Sequence, residues 1–228
     1  MIFLRISCFF FKSFHCLNIL TTYKKLLQCL LNFTNFFAGS VPNADVPGRW
    51  IDMTAKCANA IRNQIQMEVE ASFKYLAMAA HFARDTVNRP GFAAHYFAAA
   101  KEERSHAMVL IDYLTMRGQL TNEITDLIKL PTLDKFKWTD AAESLTDALN
   151  LETNVTENIR NVIGICETDK TADVDFNDYH LVDYLTGVYL EEQYKGEREI
   201  AGKLSTLKKM TDQYKEIGEF LFDKTLLE

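Results

Sequence analysis

Proline and glycine are scarce in this chain, which has four prolines and nine glycines among its 228 residues. Several of them separate long stretches in which apolar side chains recur every three or four positions. That spacing is the period of one face of an α-helix, and no stretch shows the strict alternation that predicts a β-strand. The sequence therefore predicts an all-α fold, and its length suits one well-buried domain.

A basic cluster is also missing. The chain carries 25 Lys and Arg against 31 Asp and Glu, for a net charge of −6 and an isoelectric point near 5.5. Binding to nucleic acid requires a basic patch that neutralises phosphates. Lys203, Lys208 and Lys209 form a short exception, which we interpret as a solvated helix end that complements the helix dipole. This composition argues against a general nucleic-acid-binding protein.

Acidic residues are absent from the start of the chain, where the first one is Asp45. Lys24 and Lys25 precede an apolar stretch, 26–37, which ends at Ala38-Gly39-Ser40. This order resembles the basic, apolar and small-residue regions of a secretory signal. The stretch is too short and too polar for a convincing transmembrane helix.

These features predict three segments: a secretory leader over 1–40, a linker over 41–49 and a mature domain over 50–228. We expect the mature protein in the secretory pathway or outside the cell, without membrane contact once the leader is removed. Two alternatives stay open, because the leader is irregular. The chain is cytoplasmic if the leader is not functional, and a membrane anchor would also explain the apolar start.

The cysteines agree with the secretory prediction. Cys8, Cys16 and Cys29 would leave with the leader, so that only Cys57 and Cys166 remain. Two cysteines can form one disulfide in an oxidising compartment. The alternative is a pair of ordinary buried thiols, and the spacing alone does not decide between them.

Helix-breaking residues divide the mature domain. Asn88-Arg89-Pro90-Gly91 ends the first long helix, and Gly118 caps the second. The connection from Gly118 to about Lys137 is long enough, at about 60 Å when extended, to cross a bundle whose helices are about 42 Å long. The predicted helices cover roughly 51–86, 90–117, 139–168, 175–210 and 212–222. They predict a four-helix bundle with one long crossover and a short fifth C-terminal helix.

Polar residues interrupt the apolar face of each long helix. Glu103 and His106 are three residues apart on the stripe formed by Phe92, Tyr96, Ala99, Leu110 and Tyr113. A single Glu-x-x-His pair is weak evidence for a metal site. However, Glu68 and Glu152 occupy similar core positions on two other helices, and Gln193 does so on a fourth. Buried charges are costly unless they are paired or bind a metal, so the recurrence predicts a metal centre between the helices.

The motifs that carry these residues resemble a ferritin heavy chain, most closely the secreted heavy chain of insects and other arthropods. The resemblance covers the chain from Trp50 to the C-terminus. It rests on Gln64-Ile65-Gln66-Met67-Glu68, Tyr75-Leu76-Ala77-Met78, Asn88-Arg89-Pro90-Gly91-Phe92, Glu102-Glu103-Arg104-Ser105-His106-Ala107, Leu151-Glu152-Thr153-Asn154-Val155, Phe176-Asn177-Asp178-Tyr179-His180, Leu190-Glu191-Glu192-Gln193 and Leu221-Phe222-Asp223-Lys224.

The resemblance implies a di-iron centre. Glu68, Glu103 and His106 would bind one iron, and Glu103, Glu152 and Gln193 the other, with Glu103 bridging. Tyr75 would lie beside the irons as a hydrogen-bond or one-electron partner, and its alternative role is that of an ordinary core tyrosine. Oxygen and imidazole ligands suit iron. Gln193 is a neutral, weak ligand, which would let oxidised iron leave the site.

The implied function is iron storage with ferroxidase activity: Fe(II) is oxidised by dioxygen, and Fe(III) mineral is deposited inside a shell of about 24 subunits. A light-chain subunit is the expected partner. The first alternative is a shell subunit with little oxidation of its own, favoured because the predicted iron channel offers Asp183 but has Thr186 where a second acidic residue is expected. A monomeric di-iron oxidoreductase is disfavoured, because the sequence has one Glu-x-x-His motif. The sequon at Asn154 lies within a predicted helix, so we expect it to be unused.

Overall fold

The computed structural model describes residues 52–119, 127–168 and 176–227. These residues belong to one compact unit, Pro47–Glu228. The predicted leader and linker lie outside the described residues. The described part of the chain consists of helices and their connections, without a β-strand. No helix in this part has the length and apolar character needed to cross a membrane.

The helices follow the predicted order. They are α1 (Ala55–Ala83), α2 (Pro90–Met116), α3 (Ala141–Glu167), α4 (Tyr179–Tyr184), a π-helical segment (Leu185–Tyr189), α5 (Leu190–Tyr214) and α6 (Glu216–Thr225). The segments α4, π and α5 are continuous and together form the fourth predicted helix. Residues 117–119 and 127–140 are the described parts of the long connection between α2 and α3. The all-α prediction, the crossover and the short C-terminal helix are thereby confirmed.

Local hydrogen bonds explain where the helices begin. The Thr54 hydroxyl accepts from the Cys57 main-chain N–H at 3.3 Å, so α1 begins four residues later than the approximate prediction. Asp140 accepts from the Glu143 N–H at 2.7 Å, which confirms the predicted start of α3. Asp178 accepts from the N–H of Leu181 at 3.2 Å, so the fourth helix begins at Tyr179 and not near 175.

The predicted end of the fourth helix was wrong. Helix α5 continues to Tyr214, four residues past the predicted end at Met210. Lys215 then turns the chain, because its φ of 53° lies in the left-handed region and ends the helix. Helix α6 begins directly after this turn, at Glu216, and ends at Thr225, three residues past its predicted end.

The long helices pack as neighbouring pairs. Helix α1 packs against α2, α3 packs against α5, and α1 also contacts α3, while α6 lies on α2 and α5. A column of aromatic rings fills one half of the core. The ring centroids of Phe82 and Phe92 are 5.2 Å apart, and those of Phe82 and Tyr96 are 5.7 Å apart. Buried side chains from all four long helices form one hydrophobic core.

The two ends of the bundle are fastened differently. At one end, Cys57 and Cys166 form a disulfide with Cα atoms 4.9 Å apart, joining the start of α1 to the end of α3. Of the two alternatives for these cysteines, the structure contains the disulfide and not two separate buried thiols. At the other end, Asp223 of α6 is fully buried and accepts a hydrogen bond from the Phe92 N–H at 3.0 Å. The rings of Phe222 and Phe92 stack beside it, with centroids 5.7 Å apart.

Candidate metal centre

The six predicted site residues lie together in the interior of the bundle. Glu68 and Tyr75 lie on α1, Glu103 and His106 on α2, Glu152 on α3, and Gln193 on α5. Their exposed fractions are between 0% and 9%. Glu68, Glu103 and His106 each offer one ligand atom, and these atoms all lie within 4.8 Å of one another.

Glu152 and Gln193 form the other side of the centre. Gln193 donates from Nε2 to Glu152 Oε2 at 3.4 Å. Tyr75, on α1, donates its hydroxyl hydrogen to Glu152 Oε1. Burial, followed by the negative charge of Glu152, raises the pKa of Tyr75 well above its ordinary value. Tyr75 therefore keeps its proton at neutral pH and remains a donor to the carboxylate.

The carboxylates are close enough to disturb one another. Burial, and then the charge of Glu103, raises the pKa of Glu68 well above its ordinary value. Burial and the charge of Glu152 raise the pKa of Glu103, and burial also raises the pKa of Glu152. A bound cation reverses this effect, because it favours the ionised carboxylates.

Three buried atoms of the centre make no hydrogen bond among the described residues: Glu68 Oε2, Glu103 Oε2 and His106 Nδ1. The last two lie 3.5 Å from each other, as an acid and an imidazole on the same helix. Polar atoms buried without a partner are uncommon and costly in folded proteins. The three residues are also those whose ligand atoms converge. Two carboxylate oxygens and an imidazole nitrogen form a donor set that suits iron. The atoms left unsatisfied by the protein therefore fit a metal ion.

The centre opens to the protein surface. A pocket is lined by Tyr75, Glu103, His106, Glu152 and Gln193 in the interior, and reaches Glu102, Glu192 and Glu199. His106 Nε2 lies 3.7 Å from Glu192 Oε1. Carboxylates thus continue from the buried centre to the outside of the bundle.

Three residues beside the centre were missing from the predicted site. Gln64 donates from Nε2 to Glu68 Oε1 at 2.7 Å, and Asn158 donates from Nδ2 to Gln64 Oε1. The Tyr189 hydroxyl is buried without a partner in the described part of the chain, and its ring centroid is 5.3 Å from that of His106. Gln64 did leave a signal, since it is a polar residue one helical turn before Glu68 on the same face. The sequence around Asn158 shows no comparable pattern, because its partner Gln64 lies on a different helix.

Comparison with known proteins agrees with this architecture. A family model described as a ferritin-like domain matches residues 58–210. The ferritin heavy chain of Drosophila melanogaster is 58% identical over 190 residues, which are 83% of this chain and 90% of the relative. The chain belongs to the ferritin family. The ferritin heavy chain of Trichoplusia ni is 55% identical over 188 residues, covering 82% of this chain and 87% of the relative.

A solved structure gives the same result. The crystal structure of Trichoplusia ni secreted ferritin has a TM-score of 0.78 and 55% identity to this chain, covering 83% of it and 97% of the crystallised chain. The predicted ferritin-like bundle is confirmed. The present chain is a heavy-chain type of ferritin subunit, an iron-storage protein with ferroxidase activity. Ferritins bind iron and form multi-subunit shells, and the buried acidic centre contains groups that could hold the metal.

Proposed function

We propose that this ferritin subunit oxidises Fe(II) with dioxygen at a di-iron centre. Glu68, Glu103 and His106 bind one iron, and Glu103 bridges to a second, which Glu152 and Gln193 also bind. The observation that carries the assignment is the convergence of buried atoms without partners on Glu68, Glu103 and His106. Iron is the substrate of this reaction, and each Fe(II) gives one electron to dioxygen.

The ligands differ in strength, and the difference suits turnover. Carboxylates bind iron as charged donors, whereas Gln193 offers only a neutral amide. Gln193 is 4% exposed, and its amide already contacts Glu152. Weak ligation at the second position lets Fe(III) leave toward Glu102 and Glu192. Tyr75 holds Glu152 in place by its hydrogen bond.

The proposal extends to a shell of about 24 copies, with a light-chain subunit as partner. Helix α6 supports assembly, because several of its apolar side chains are exposed in the single chain. They are Ile217, Phe220 and Leu221, followed by Leu227 directly after the helix. Exposed apolar patches of this kind mark protein interfaces. The secretory signal in the sequence and the likeness to a secreted ferritin support a place in the secretory pathway or outside the cell.

A second function remains as a candidate: a shell subunit that oxidises little iron itself and depends on its partner. Asp183 and Thr186 favour it, since both are exposed and only one is a carboxylate. The Thr186 hydroxyl is also engaged by the main chain, donating to the Val182 oxygen at 2.7 Å. Iron entry at this position would therefore have one acidic group fewer than the two that the heavy-chain resemblance implies for such a channel.

Aerobic addition of Fe(II) to the purified chain tests both functions. The parent chain should form Fe(III) rapidly, as followed by near-ultraviolet absorbance. Glu103→Ala should abolish the rapid phase, because it removes the shared charge of both iron positions. Glu157→Ala is a matched control, because it deletes an exposed carboxylate from α3. Oxidation by Glu103→Ala at the parent rate would exclude the di-iron assignment, and oxidation only with a partner subunit would favour the second function.

A further inference from the structure

Glu68 is held by a pair of amide side chains that take no part in the proposed ligand set. We propose that Asn158, acting through Gln64, is a positioning residue that turns the Oε2 atom of Glu68 toward the iron. The inference rests on the proposed di-iron function. It assigns a role in catalysis to a residue of α3 that touches none of the reacting atoms.

The contacts form a continuous chain from one helix to the next. Asn158 donates from Nδ2 to Gln64 Oε1, and Gln64 donates from Nε2 to Glu68 Oε1 at 2.7 Å. Gln64 is 2% exposed and Glu68 is fully buried, so water cannot easily replace either bond. Asn158 is half-buried at the outer end of the chain.

The direction of the Gln64 amide is the important feature. A primary amide has a donor end and an acceptor end, and rotation by half a turn exchanges them. In the observed direction, the acceptor end meets the Asn158 N–H and the donor end meets Glu68. In the reversed direction, two acceptor oxygens would face each other at Glu68, and two N–H groups would meet at Asn158 in its observed orientation. The hydrogen bond from Asn158 therefore stabilises the amide direction that the Glu68 carboxylate, an acceptor, requires.

This selection leaves the two oxygens of Glu68 unequal. Oε1 is occupied by the Gln64 N–H, whereas Oε2 is buried and has no partner within the described ranges. Oε2 is thus the oxygen available for a metal ion near Glu103 and His106. Removing a hydrogen bond that orients a metal-binding side chain commonly lowers metal affinity by about 10–100-fold. The same magnitude is expected for the Asn158–Gln64 pair.

Asn158→Asp tests the proposal, because the introduced carboxylate keeps the size of the side chain but can no longer donate to Gln64. Its acceptor oxygens should reverse the Gln64 amide and direct its carbonyl oxygen at Glu68. In anaerobic calorimetric titration with Fe(II), the dissociation constant of the tighter iron position should rise by about 10–100-fold. Asn158→Ala should weaken binding less, because it frees the amide without reversing it.

Asn161→Asp is the matched control, since it introduces the same charge at an exposed position one turn further along α3. It should bind Fe(II) as the parent does. The thermal midpoint of each metal-free variant is recorded in parallel, because a merely structural pair would change this midpoint without a selective loss of iron affinity. Initial rates at limiting and saturating Fe(II) provide a further check, as weakened positioning should mainly raise the Fe(II) concentration needed for half-maximal rate.

A double-mutant cycle separates Asn158 from other effects. In a Gln64→Leu background, the amide that transmits the effect is absent, so Asn158→Asp should cause little further loss of affinity. Full, additive loss in that background would overturn the proposal, as would parent affinity in both Asn158→Asp and Asn158→Ala. If the parent chain itself bound no Fe(II) at the centre, the proposed function would fail instead. The parent titration therefore distinguishes the two failures.

Discussion

Gly91→Ala should loosen α6 while leaving the buried centre intact. Gly91 lies at the start of α2, where the main chain of α6 comes closest to it. A Cβ atom added at this position would overlap the main-chain carbonyl oxygen of Asp223 and approach Asp223 Oδ1 to 3.0 Å. Neither helix can relieve the overlap by rotating a side chain, because the obstacle is main chain. The end of α6 must therefore move away from α2.

The contacts at risk set the expected size of the effect. The hydrogen bond from the Phe92 N–H to the Asp223 carboxylate contributes roughly 1.5–3 kcal/mol, as bonds to charged groups do. Burial of Phe222, which is 5% exposed, contributes a further 1.5–3 kcal/mol, roughly. The Arg89–Glu219 pair at 2.9 Å is partly exposed and adds less than about 1 kcal/mol. Alanine regains at most about 1 kcal/mol through its helix propensity. The net loss should be about 2–6 kcal/mol for full detachment of α6.

Hydrogen exchange over residues 216–227 and sedimentation of the assembled protein provide the assay. Gly91→Ala should raise exchange in α6 and reduce the proportion of assembled shell, while the exchange of α1 around Glu68 stays at the parent level. Gly202→Ala is the matched control, because it makes the same change in α5 with no atom within 4 Å of the added Cβ. It should be neutral or stabilising. Parent exchange in α6 together with parent assembly in Gly91→Ala would refute the reasoning.

Three further predictions concern the ligands, the disulfide and the half-buried His95. His106→Gly should nearly abolish rapid Fe(II) oxidation and Gln193→Ala should slow it less, as measured by stopped-flow absorbance; equal losses would contradict the unequal ligand strengths. The disulfide closes a loop with a sequence separation of 109. Replacing both cysteines by alanine should therefore lower the unfolding free energy of the dissociated subunit by about 4–5 kcal/mol, as measured by urea denaturation. An unchanged midpoint of urea unfolding would contradict this prediction. Burial, and then the charge of Lys203, lowers the pKa of His95 to about 4, so folding opposes protonation of the imidazole and stability is lost as the pH falls from about 6.5 toward 4. His95→Gln should therefore reduce the difference in unfolding free energy between about pH 7 and about pH 4.5, and the same difference as in the parent would contradict it.

Most of the fold could be predicted from the sequence because local signals agreed with helical periodicity. Pro90 marked the start of α2, and the predicted start of the third helix near residue 139 agrees with the Asp140 cap of α3. The end of α5 was missed because no glycine or proline stops the helix there, and the chain turns instead through Lys215 with φ of 53°. The π-helical segment was also missed, since its hydrogen bonds leave no distinct residue pattern. Helix boundaries that depend on contacts with other helices cannot be predicted from the apolar periodicity of one helix.

The centre could be predicted because its members break the apolar pattern of their own helices. Glu68, Glu103 and Glu152 each occupy a position where an apolar residue would otherwise be expected, and each is 0–6% exposed. The supporting residues were harder to find for a physical reason. A half-buried asparagine such as Asn158 has the appearance of a surface residue in the sequence. Only the approach of α3 to α1 gives it a partner in Gln64.

The position of the centre between two fastened ends explains how the bundle holds several buried carboxylates. Their mutual repulsion would favour separation of the helices, because burial weakens solvent screening of like charges. The disulfide holds α1 to α3 at one end, and α6 holds α2 to α5 at the other. Gly91 is about 18 Å along α2 from Glu103, so loosening α6 acts far from the ligands. The two roles should therefore separate: Glu103→Ala should lose oxidation and keep the assembled shell, whereas Gly91→Ala should lose the shell and keep rapid oxidation. If either variant lost both rapid oxidation and the assembled shell, the metal centre and the assembly would depend on each other, and the separation inferred from these contacts would be wrong.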